Sequence, residues 1–85
     1  MTQKEITIGL AGGLEARQVA LLVQAASQYE SSVYVEAGDK RVNAKSIMGM
    51  MSLAMANGEK LTVIADGPDE VFALESMEKI LEGDK

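Results

Sequence analysis

The chain has no cysteine and no histidine. The first absence excludes disulfides and thiolate metal sites, and with them any argument for an oxidising compartment. The second removes the commonest metal ligand, the commonest general base and phosphohistidine chemistry. Positive charge is also scarce. Thirteen acidic residues face eight basic ones, a net charge of −5. A surface of that sign repels phosphate backbones and anionic membranes, so neither direct nucleic-acid binding nor membrane binding is expected. No run approaches the ~20 apolar residues of a membrane span. No sustained apolar region follows Met1-Thr2-Gln3-Lys4-Glu5, so no signal peptide is expected and the cytoplasm is the expected location. Catalysis is excluded on similar grounds. General acid–base work needs paired titratable groups in a cleft, and the acids here are scattered over turns and helix ends. Gly9-Leu10-Ala11-Gly12-Gly13 lacks the Lys-Ser/Thr that would make it a phosphate loop. No calcium loop occurs. No enzyme activity, cofactor or metal is therefore expected.

What is present suits one small globular domain spanning residues 1–85. Lys4-Glu5-Ile6-Thr7-Ile8 alternates and is β-branched, a strand signal. From Ala16 to Tyr29 the period becomes helical, with Val19, Leu22, Val23 and Ala26 on the buried face and Leu21 looking outward. Ser32–Glu36 and Arg41–Asn43 read as a hairpin around Ala37-Gly38-Asp39-Lys40. Ser46 caps a second helix predicted to run to Ala56 and to be closed by Asn57-Gly58. Lys60–Ala65 is a fourth strand. Pro68, Asp69 and Glu70 open a third helix whose stripe is Ala73, Leu74, Met77, Ile80 and Leu81. The order β-α-β-β-α-β-α predicts an α+β open-faced sandwich: a four-stranded antiparallel sheet with three helices on one face.

The second helix does not read as purely structural. Ile47, Met48, Met50, Met51, Leu53, Ala54 and Met55 surround it almost completely, and so small a sandwich cannot cover all of them. Met50, Leu53 and Ala54 suit a core. Ile47, Met48 and Met51 then face water and form an apolar patch, the mark of an interaction site. Methionine serves equally well as core filler and as adaptable contact. Ser46, at the head of this patch, is either a plain helix cap or a phosphorylation site. A phosphoserine there would add about −1.5 to −2 charge at a helix start that favours anions.

The stretch from Asn43 to Ala54, N-A-K-S-I-M-G-M-M-S-L-A, resembles the regulatory-serine motif of HPr, the phosphocarrier of the bacterial sugar phosphotransferase system. Gly13-Leu14-Glu15-Ala16-Arg17 resembles its active-site loop, and the resemblance spans essentially the whole chain. Glu15 stands where the family carries the phosphate-accepting histidine, and Gln18 where a proline is usual. The pattern is similar to the histidine-less, catabolite-repression branch of the family, which usually shows glutamine at that position. This resemblance implies phosphorylation of Ser46 by HPr kinase/phosphorylase and a role as corepressor of catabolite control protein A. It also implies a docking surface formed by Ile47, Met48 and Met51 with Arg17, Ala20, Leu21 and Gln24, in which Arg17 lies close to Ser46. Glu15 is then either a plain helix-start acid or an imitation of phosphohistidine. Two other functions stay open: a constitutive protein-binding module, and a phosphocarrier with an atypical acceptor. The Gly-rich connection after the first strand leaves room for a domain-swapped dimer beside the monomer.

Overall fold

The computed structural model describes residues 1–53 and 55–83. Its elements are β1 (Thr2–Thr7), α1 (Ala16–Ser27), β2 (Ser32–Ala37), β3 (Lys40–Asn43), α2 (Ile47–Met51), β4 (Lys60–Asp66) and α3 (Glu70–Leu81). The strands form one antiparallel sheet in the order β1-β4-β2-β3. This is the expected open-faced sandwich.

Side-chain alternation explains why one sheet face is covered. Ile6, Val33, Val35, Leu61, Val63 and Ala65 are all buried. Against them lie Val19, Leu22, Val23 and Ala26 of α1 and Ala73, Met77 and Leu81 of α3. Both stripes are those the helical spacing predicts, with Leu74 and Ile80 packed at the margin of the core. Ala37 pairs with Lys40 across a two-residue loop, so the predicted hairpin forms.

Several boundaries differ from expectation: β1 runs Thr2–Thr7 where Lys4 to Ile8 was expected, and α1 ends at Ser27, short of Tyr29. The second helix stops at Met51, not Ala56. The Ser52 N–H returns to the Gly49 carbonyl and the Leu53 N–H to that of Met50, which tightens the last turn. Leu53 is then buried, and the Met55 carbonyl accepts the Leu14 N–H. Gly13, at φ 72°, lies so close to that carbonyl that a side chain there would collide with it. Ala54, also expected in the core, lies outside the described residues. Asn57-Gly58 consequently forms a turn leading into β4: the Gly58 N–H donates to the Ile8 carbonyl.

Pro68 lies ahead of the third helix and outside its first turn, since Asp69 is the N-cap and Glu70 the first helical residue. Asp69 does not cap with its side chain. Its carboxylate instead accepts from the Glu30 N–H at 3.0 Å, the Ser31 N–H at 3.0 Å and the Ser31 hydroxyl at 2.5 Å. Gly67 makes this approach feasible: a Cβ there would lie 2.6 Å from Ser31. Ser31 is 1% exposed.

Candidate docking face and its serine

Ser46 precedes α2 in extended conformation, as an N-cap does. Its hydroxyl oxygen accepts the Gly49 N–H at 3.2 Å. Its own N–H donates to the Asn43 carbonyl. The side chain is partly exposed. The serine is thus a cap in fact, and one bond from its own helix is the only hydrogen bond its hydroxyl makes among the described residues.

The apolar residues after it divide as the predicted pattern requires. Met50 is fully buried and Leu53 nearly so, while Ile47 is 52%, Met51 56% and Met48 85% exposed. Helix α1 packs against α2 and presents Arg17, Ala20, Leu21 and Gln24, all exposed. Leu21 extends the apolar surface onto that helix. The expected docking residues therefore lie exposed on two adjoining helices. No hydrogen bond or ion pair joins Arg17 to Ser46 among the described residues. Lys45, the other neighbouring cation, donates its ammonium to the Tyr29 carbonyl at 2.8 Å, beyond the C-terminal end of α1. Positive charge at Ser46 is therefore not preassembled by these contacts.

Glu15 occupies the N-cap position of α1 and is exposed. Its carboxylate makes no capping hydrogen bond. It lies beside Gly12, where a Cβ would approach Oε2 to 2.7 Å. What remains of the plain reading is a negative charge near a helix start.

Sequence reasoning missed one feature of this face. Lys40, in the first position of β3, donates its ammonium to the Ser52 carbonyl at 3.0 Å. A five-residue helix has too few internal bonds to stand alone, and a cation on its final carbonyls supports it. The available signal was a lysine immediately after a two-residue hairpin turn. A second exposed apolar pair, Val71 and Phe72 on α3, was also unforeseen. Among the described residues no group of three or more acidic, histidine or cysteine side chains is placed to hold a metal. No helix among them is long and apolar enough to cross a membrane.

Comparison with known proteins agrees with this architecture. The family model for the phosphotransferase-system HPr component phosphorylation site matches residues 2–83. The HPr-like protein Crh of Bacillus subtilis is 49% identical over 77 residues, covering 91% of each chain. Crh of Halalkalibacterium halodurans is 44% identical over 82 residues, covering 96% of this chain and 98% of that one. The crystal structure of Bacillus subtilis Crh, described as a swapped, intertwined dimer, superposes with a TM-score of 0.80 at 45% identity, covering 100% of this chain and 98% of the other. An exposed apolar turn led by a serine, with glutamate at the start of α1 and a match along nearly the full length, marks this chain as a member of the HPr family that sits with its Crh-type proteins.

Proposed function

We propose that this chain is a regulatory HPr-family protein that HPr kinase/phosphorylase phosphorylates on Ser46. Phosphorylated, it docks through the α1–α2 face on catabolite control protein A and acts as its corepressor in carbon catabolite repression. It is neither an enzyme nor a phosphohistidine carrier, and it works in the cytoplasm. The observation that carries this reading is the juxtaposition of a partly exposed serine with Ile47, Met48, Met51 and Leu21, each roughly half or more exposed. The lack of histidine supports the second half of the proposal.

The chemistry suits a switch. Phosphate on the Ser46 hydroxyl places about −1.5 to −2 charge and three acceptor oxygens at the edge of an apolar surface. The first N–H groups of α2 lack intrahelical acceptors and favour such an anion. A partner's arginine can then pair with the phosphate while its apolar side chains cover the methionines. Nucleic acid is contacted by the partner, in keeping with this chain's acidity.

Intact-mass spectrometry after incubation with HPr kinase/phosphorylase and ATP tests the reading. One phosphate on the parent and none on Ser46→Ala is the expected result. No phosphate on either reduces Ser46 to a cap on a constitutive binding module. That second reading draws on the bond the hydroxyl already makes to Gly49. A phosphocarrier role with an atypical acceptor predicts transfer from phosphoenolpyruvate through enzyme I, and no transfer is expected. Strand exchange at the Gly12-Gly13 connection would give a dimer like that described for Bacillus subtilis Crh, visible as a doubled mass in light scattering.

A further inference from the structure

The docking face owes much of its apolar surface to thioethers. Met48 is 85% and Met51 56% exposed, whereas Met50 and Met77 are at 0%. Met55 packs partly buried against the core. The chain has no cysteine and no tryptophan. No thiol therefore competes for a two-electron oxidant, and exposed thioether sulfur is the group most open to it.

We propose that Met48 and Met51 form an oxidation site, and that their conversion to sulfoxide turns the docking face off. The proposal rests on the reading of that face given above and adds its regulation. With hydrogen peroxide as oxidant, a sulfur lone pair attacks one peroxide oxygen. The S–O bond forms as the O–O bond breaks, and the departing hydroxide takes the remaining proton and leaves as water. Sulfur loses two electrons and the peroxide gains them. Thiol-dependent sulfoxide reductases reverse the change. The product is polar and chiral where the thioether was apolar and pliable. A partner must then desolvate two sulfoxide oxygens to cover the face, with no hydrogen bonds built to receive them. The fold is spared, because neither side chain belongs to the core cluster and the sulfur of Met50 is shielded from solvent.

The test treats the folded protein with excess hydrogen peroxide and follows each methionine by tandem mass spectrometry. Met48 and Met51 should gain oxygen at least about tenfold faster than Met50 and Met77, since reaction at the buried pair requires opening of the structure. Retention on a phenyl column should fall in step, with the circular dichroism unchanged. Affinity of the Ser46-phosphorylated protein for catabolite control protein A should fall about tenfold or more, and return after sulfoxide reductase treatment. Met1 is also exposed and will react. The Met48→Leu/Met51→Leu variant isolates its contribution: whatever its starting retention and affinity, neither should change when that variant is treated with peroxide. Equal oxidation rates at all four positions would overturn the proposal, as would unchanged retention or affinity once Met48 and Met51 are sulfoxides. Reduced, phosphorylated protein that fails to bind would instead fault the reading of the face. The mass maps and the column, which need no partner, then still decide whether its apolar character is switched.

Discussion

Ser46 leads into α2, whereas Ser31 leads into β2 and meets the start of α3 only through space, and their surroundings are opposite. Ser31 is 1% exposed and held by the Asp69 carboxylate, which takes both its hydroxyl and its N–H and the N–H of Glu30 as well. It ties the chain after α1 to the start of α3. Ser46 is partly exposed, its hydroxyl bonded among the described residues only to the Gly49 N–H of its own helix, and it is followed by side chains in water. The first hydroxyl is committed to a distant element, whereas the second serves only its own helix among the described residues. Burial and partner count, more than residue type or proximity to a helix, separate a serine that holds the fold from one free to change.

Methionine shows the same division within one turn, and it gives the largest predicted contrast. Met50→Ala should lower stability by about 2–5 kcal/mol, because it opens a cavity under α2. Met48→Ala should stay within about 0.5 kcal/mol. Equal losses in urea denaturation would erase the distinction between the two sides of α2. Next in size, Ser31→Ala should lower Tm by about 5–10 °C, since it leaves a buried site short of a charge-assisted hydrogen bond. Ser46→Ala should cost only about 2–4 °C, the value of a single cap on a short helix.

Acid titration sharpens the comparison further. The Ser31 hydroxyl, followed by the Glu30 N–H, holds the Asp69 carboxyl below its ordinary value of 3.8. Glu70 is lowered in the same sense by the Gly67 N–H and then by the N-terminal amine. Because the folded state favours these carboxylates ionised, their stabilisation is complete above their ordinary values. It is lost as pH falls through the lower folded values. The Asp69→Asn variant should therefore show a shallower loss of Tm below about pH 4 than the parent. Parallel curves would mean that the contacts to Ser31 and Glu30 do not favour the charged form. The smallest effect belongs to Lys40→Ala. It should speed amide exchange at Ser52 and Leu53 several-fold while moving Tm by no more than about 2 °C, as expected for one exposed charge-assisted bond at a helix end.

The layers of this fold were legible because both periods are clean. Val19, Leu22, Val23 and Ala26 are buried as their spacing requires, and the core-facing positions Val33 and Val35 of β2 and Leu61, Val63 and Ala65 of β4 alternate as expected, with Ile64 the one buried residue of β4 out of step. The split of Met50 and Leu53 from Ile47, Met48 and Met51 was legible too, from the mismatch between an all-round apolar helix and a small domain. The end of α2 was not. Apolar residues continue to Ala56, but the chain leaves the helix so that Leu53 can enter the core and the Met55 carbonyl can meet Leu14. That contact comes from a distant loop and leaves no local trace. The Ser31–Asp69 pairing was hidden for the same reason. Asp69 in isolation looks like a helix-start acid, and only the fold brings it to Ser31. Of the candidate site, the serine and its apolar neighbours were readable from the motif, whereas the support of α2 by Lys40 depends on strand pairing.

On the proposed function, phosphate on Ser46 turns an exposed apolar face into a specific docking site. Isothermal titration of purified catabolite control protein A with the Ser46-phosphorylated chain, and with the unmodified chain, tests it most directly. Binding at least about tenfold tighter for the phosphorylated form, as one or two new charge-assisted bonds would give, is the predicted result. Equal affinities for the two forms would contradict it.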